Sequence, residues 1–185
     1  MKFNDKYQPI KVIPTTGKFG ALYEVELINN KNNKNHFALK LMNKELKNQY
    51  EREIEVMKNT KSKYIVELID NFYDEKNEGY CIVMELCDGD LRKILDKIKP
   101  YGLSLRVICK IFYQLNEALK AMNDIEYIHR DLKPDNILIK YTDNNKVNFD
   151  IKLIDFGLLD SKIYLLVYNS YNITPKLHKS HFLLY

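Results

Sequence analysis

The chain has 185 residues, of which 45% are hydrophobic and 29% charged, a size and composition that suit a packed globular fold and exclude a disordered segment. Its 29 Lys and Arg against 25 Asp and Glu give +4, but Lys162, Lys176 and Lys179 all lie beyond Asp160, after which no acidic residue occurs. The preceding stretch is close to neutral and has no Lys/Arg-dense stripe to drive counterion release, so composition argues against nucleic acid or an anionic membrane as partner. The N-terminal decapeptide MKFNDKYQPI has no apolar core. The longest uncharged run near the end, Ile163 to Pro175, is 13 residues long and broken by Asn169 and Asn172. Neither a signal peptide nor a membrane span is expected, which makes a soluble, cytoplasmic chain the expectation. Cys81, Cys87 and Cys109 are odd in number and lack CxxC spacing, the usage of reduced thiols rather than of a disulfide frame or a zinc site.

In chain order, Ala21, Tyr23, Val25 and Leu27 alternate with Glu24 and Glu26, the period of a half-exposed strand. Phe37 to Met42 reads similarly, and NNKNNKN at 29–35 between them suits a solvated hairpin loop. Leu46, Tyr50, Ile54 and Met57 recur at helical spacing. Two apolar runs, Ile65 to Tyr73 and Tyr80 to Leu86, bracket the turn-like DEKNEG and predict a hairpin. After Gly89, the residues Ile108, Ile111, Phe112, Leu115, Ala118, Leu119 and Met122 form one helical stripe with Ser104 as N-cap. Short strands are predicted at Ile137 to Lys140 and Ile151 to Ile154, flanking the polar loop YTDNNKVN. The last 25 residues combine four Tyr and clustered Leu with no acidic residue, and no element is assigned to them.

The most specific string is His129-Arg130-Asp131-Leu132-Lys133-Pro134-Asp135-Asn136, followed by Asp155-Phe156-Gly157 nineteen residues after Asn136. Here the chain resembles the protein kinase family, the lysine of HRDLKPDN matching its serine/threonine branch. Phosphoryl transfer needs an acceptor-only side chain near the incoming hydroxyl, a cation on the transferring phosphate and oxygen ligands for Mg²⁺. The resemblance implies Asp131 for the first, Lys133 for the second, and Asn136 with Asp155 for the metal. Upstream, Ala38-Leu39-Lys40 matches the family's strand lysine and Arg52-Glu53-Ile54 its helix glutamate, thirteen residues later. Thr15-Thr16-Gly17-Lys18-Phe19-Gly20 aligns with the family's glycine-rich loop, Thr15 replacing the first glycine while Gly17 and Gly20 keep the other two positions.

The same resemblance places Leu22 and Ala38 above an adenine, Leu138 beneath it, Met84 at the gate before a Glu85-Leu86-Cys87 hinge, and Asp90 at the ribose. Met57, Leu68, His129 and Phe156 match its stacked spine between lobes, which makes His129 a packing residue rather than an acid or base. The implied fold is α+β and two-lobed, with a small lobe over 1–86, part of a large lobe over 87–160 and an atypical tail over 161–185. The resemblance spans about residues 6–160, and no A-P-E follows Gly157. A chain cut short after its DFG motif is therefore the expectation, with its tail foreign to the fold rather than covering the apolar stripe. Two functions follow: an ATP- and Mg²⁺-dependent kinase acting on serine or threonine hydroxyls, impaired by the lost substrate platform, or a non-catalytic, ATP-binding regulatory module.

Overall fold

The computed structural model describes residues 1–14, 20–28, 35–99, 101–156 and 160–161. Strands β1 (Tyr7–Ile13), β2 (Ala21–Leu27), β3 (His36–Asn43), β4 (Leu68–Asp74) and β5 (Gly79–Glu85) form one antiparallel sheet in spatial order β1-β2-β3-β5-β4. Helix α1 (Lys47–Asn59) is inserted between β3 and β4. The predicted strands, helix and hairpin are all present, with one change of register. The strand begins at Leu68 rather than Ile65, because Ile65 makes a parallel bridge to Leu153 in the lower part of the molecule. Strand β1 was not legible in the sequence, since it is an edge strand whose Ile10 and Val12 face solvent and whose pairing is interrupted by a bulge after Pro9, and edge position is where proline is tolerated in a sheet.

Period-two alternation divides this sheet between two cores. On one face Val25, Leu39, Cys81 and Val83 are buried beneath Phe3 and Tyr7. The other face contributes Ala38, Met42, Ile82 and Met84 to a core that continues through Tyr50, Ile54 and Met57 of α1 to Ile137, Ile139, Ile151, Leu153 and Phe156. Burying each such side chain contributes about 1.5–3 kcal/mol, and the apolar continuity holds the sheet on the second half of the chain.

That half begins with β6 (Gly89–Asp90), α2 (Leu91–Lys97) and α3 (Leu105–Asp124), followed by β7 (Tyr127–Ile128), β8 (Ile137–Tyr141), β9 (Phe149–Leu153) and β10 (Asp160–Ser161). Ser104 caps α3 by accepting from the Val107 N–H. The expected stripe splits: Ile111, Ala118 and Met122 are buried, Leu115 and Leu119 are half-buried, and Phe112 points outward at 66% exposure. Gln114 takes an inner position that an apolar stripe does not announce. Its Oε1 accepts from Ile151 N at 2.9 Å and its Nε2 donates to Asp150 Oδ1 at 2.8 Å, tying α3 to β9. The polar loop joining β8 to β9 is closed by Asp143, whose carboxylate accepts from the N–H groups of Val147 and Asn148. Of the tail expected to lack structure, Ser161 pairs with Tyr127 through β10 and β7, and residues 162–185 lie outside the described residues.

Candidate active site

Directly opposed residues of antiparallel strands project to the same face. Leu22 lies opposite Lys40, and Ala38 opposite Met84, so Leu22, Ala38, Lys40 and Met84 share the face that looks toward α1 and the second half of the chain. Lys40 Nζ lies 2.7 Å from Glu53 Oε1 and 3.4 Å from Asp155 Oδ1. Glu53, 3% exposed on the inner side of α1, also accepts from Gln49 Nε2 at 3.4 Å. Burial alone would depress the Lys40 ammonium, but the two carboxylates outweigh it and hold its pKa above the ordinary lysine value. Burial is the main influence on Glu53 and pushes it above the usual carboxylate range, with Lys40 opposing. A cation held in this way is poised for phosphate oxygens, and it joins β3, α1 and the segment after β9 at one point.

The second cluster lies on the chain between β7 and β8. His129 is buried, its ring set edge-on to Phe156 with centroids 5.6 Å apart. Its Nε2–H donates to Ile154 O at 2.9 Å and its Nδ1 accepts from Asp131 N at 3.3 Å, a tautomer in which the imidazole is neutral. Burial lowers its pKa accordingly. Ile154 N–H in turn donates to Asn136 O at 3.1 Å. Both backbone groups of Ile154 are thus spent on fixing Asp155 relative to Asp131 and Asn136. Arg130 and Asp155 take left-handed backbone, φ 62° and 67°, a strain of about 1–3 kcal/mol each that the surrounding bonds must offset.

Asp131 is partly exposed. Its Oδ2 accepts from Lys133 Nζ at 2.6 Å and from Asn136 Nδ2 at 3.0 Å, and Asn136 Nδ2 also reaches Asp131 O at 2.8 Å. Burial pushes the Asp131 carboxyl upward, but these bonds win and it sits below the usual carboxylate range. It is an anion at neutral pH, able to accept a proton or orient a hydroxyl. Asn136 spends its amide N–H groups on Asp131, which leaves its Oδ1 as an oxygen donor, and its backbone carbonyl is bonded to the residue before Asp155. No group of three His, Cys, Asp or Glu suited to a metal occurs among the described residues. A hard cation fits an amide oxygen plus one carboxylate when phosphate and water complete its octahedron, which is how Mg²⁺ is usually held.

A profile of the protein kinase domain matches residues 12–176, sixteen residues beyond the extent read from motifs. The chain belongs to the protein kinase family. It is 34% identical over 149 residues to an Aurora kinase of Yarrowia lipolytica, covering 76% of this chain and 36% of that one. Against cyclin-dependent kinase-like 1 of Caenorhabditis elegans it is 41% identical over 106 residues, 57% of this chain and 28% of the relative. Against serine/threonine-protein kinase 33 of Bos taurus it is 33% identical over 155 residues, 79% of this chain and 30% of the relative. The chain therefore spans about a third of the length of the curated relatives it matches.

The remaining expected site residues are placed unevenly. Gly17 lies outside the described residues. Gly20, with φ 127°, passes so close to β3 that a Cβ would stand 2.0 Å from Leu41 O, so glycine is required there by the sheet itself. Leu138 is half-buried on β8 opposite Asp90 of β6. Asp90 caps α2, Oδ1 accepting from Lys93 N at 2.8 Å and Oδ2 pairing with Lys93 Nζ at 2.8 Å, which is a local duty the sequence reading did not anticipate. Cys87 is a half-buried thiol whose pKa burial pushes up to about 12, so it contributes packing rather than nucleophilicity. Met57 and Phe156 are buried and Leu68 packs against the same core, in keeping with His129 as a packing residue. Among the described residues no helix is long and apolar enough to cross a membrane.

Proposed function

We propose that the face shared by Leu22, Ala38, Lys40 and Met84 binds ATP with Mg²⁺, and that the chain's chemistry is transfer of the γ-phosphoryl group to a serine or threonine hydroxyl of a protein. The observation that carries this reading is Lys40 Nζ standing between Glu53 and Asp155, because it joins a phosphate-binding cation to a metal-binding carboxylate. Lys40 would neutralise the α- and β-phosphates, held by Glu53. Asn136 and Asp155 would hold Mg²⁺, which supplies charge neutralisation between phosphates when bound. Asp131 would orient the hydroxyl and accept its proton, and Lys133, 2.6 Å from Asp131, would move onto the transferring group. Lys133 and the printed names of relatives such as serine/threonine-protein kinase 33 support Ser/Thr as acceptor. A cytoplasmic setting belongs to the same proposal, with free thiols at Cys81, Cys87 and Cys109 supporting it.

A second reading is nucleotide binding without protein phosphorylation. Titrating the folded chain with ATP·Mg²⁺ in a calorimeter tests the shared part of both readings. Binding restricted to the folded state raises stability by about 2.7 kcal/mol at 100 Kd, and an unchanged melting point at millimolar ATP·Mg²⁺ refutes them together. Radiolabelled ATP with generic Ser/Thr peptides separates them, transfer that disappears in Asp131→Ala supporting the enzyme.

A further inference from the structure

We propose that Glu85, clamped between Lys140 and Lys152, is a positioning residue that fixes the floor of the adenine slot to the hinge strand; this rests on the nucleotide reading above. Glu85 ends β5, opposite Phe37 and next to Met84, yet its carboxylate is bonded to residues outside that sheet and is 5% exposed. Its Oε1 lies 2.5 Å from Lys152 Nζ and accepts from Glu67 N at 3.0 Å, while Oε2 takes Lys140 Nζ. The Glu85 N–H donates to Glu67 O at 3.1 Å, so the residue is fixed through both its backbone and its side chain.

The two lysines come from paired strands. Lys152 lies opposite Leu138, and Lys140 is two residues along β8 from Leu138. Leu138, Lys140 and Lys152 therefore share one face of the β8/β9 hairpin. The face that offers Leu138 to the adenine slot is the face gripped by Glu85. Without the carboxylate, two ammonium groups side by side repel each other and the hairpin loses its tie to the hinge. Burial pushes Glu85 upward, but the lysines and the Glu67 N–H hold its carboxyl below the usual range, so it is the anion that the arrangement requires. The phosphate end, built on Lys40, Glu53 and Asp155, makes none of these contacts.

The test compares adenosine with ATP·Mg²⁺ on the full chain, by calorimetry, for wild type, Glu85→Gln, Glu85→Gln with Lys152→Gln, and Lys40→Met as reference. Glu85→Gln is expected to weaken adenosine about tenfold, a size ordinary for coupling within a packed network, and to weaken ATP·Mg²⁺ by the same factor, so that their affinity ratio is preserved. Lys40→Met collapses that ratio instead. Removing one repelling lysine in the double variant restores much of the adenosine affinity, which a loss of general packing would not do. A folded Glu85→Gln chain with wild-type adenosine affinity, or one whose ratio collapses as in Lys40→Met, overturns the proposal. If Glu85→Gln fails to fold, Lys140→Met takes its place, since that side chain is 40% exposed, and unchanged adenosine affinity there overturns it equally. Wild type that binds neither ligand overturns the nucleotide reading, and the positioning role with it.

Discussion

At Lys40 the electrostatics of one residue decide the stability of another. Glu53 is already pushed above its ordinary 4.5 by burial, and Lys40 is the main influence holding it down. Lys40→Met therefore raises the folded-state pKa of Glu53 further, while the unfolded value stays near 4.5. A carboxyl whose folded pKa exceeds its unfolded one is most favourable at low pH, and stability is lost as the pH rises from the unfolded toward the folded value. Lys40→Met is thus expected to melt close to wild type at pH values near the unfolded-state 4.5 and to fall progressively behind as the pH rises above it, by up to roughly 3–5 kcal/mol, the cost of a buried charge without its partner. Thermal melts across that range check it, and a pH-independent difference between the two proteins contradicts it. Glu53→Gln, which leaves no buried anion, lacks this slope.

Among the elements, α3 shows both what a sequence discloses and what it hides. Its helical period, its Ser104 cap and its inner Ile111, Ala118 and Met122 were all legible, because each depends on neighbours within a few turns. Gln114 was not, because its partners Asp150 and Ile151 lie 36 and 37 residues away. Glu85 was read as part of the hinge, but its clamp was hidden in the same way, its lysines standing on strands that only the fold brings together. That Lys40 meets Glu53 and Asp155, and Asp131 meets Asn136, could be expected despite their separation, since the strings around them match one family's motifs. Gln114→Leu removes the acceptor of the buried Ile151 N–H and is expected to cost about 1–3 kcal/mol. Ser104→Ala, at an exposed helix end where the bond to Val107 N is 3.4 Å long, should cost about 1 kcal/mol or less. Urea unfolding of the two variants ranks them, and the reverse order would show that the α3 to β9 tie is not a principal support of the hairpin carrying Asp155.

Across the whole molecule, the sheet and α1 supply Lys40 and Glu53, while the second half supplies Asp131, Asn136 and Asp155. The two sets meet through a shared core and through the Lys40–Asp155 pair, while Ile154, whose backbone is bonded to both His129 and Asn136, fixes Asp155 within the second set. A ligand carrying phosphates and Mg²⁺ would bridge both sets, so its binding energy should register as stability of the entire chain. The two aspartates of the second half differ in this respect. Asp155 touches Lys40, whereas among the described residues the Asp131 carboxylate is bonded within its own loop, to Lys133 and Asn136. Asp155→Asn is therefore expected to abolish most of the Mg²⁺-dependent rise in melting temperature produced by ATP, and Asp131→Asn to retain it. Both substitutions keep the side-chain shape, and melting each without nucleotide controls for folding. Omitting Mg²⁺ supplies the decisive comparison: ATP alone should bind Asp155→Asn at least as well as wild type, because the substitution removes an anion from beside Lys40 and no metal is there to lose. An equal loss in both variants, or a loss in Asp131→Asn alone, would move the metal from Asp155 to the other carboxylate.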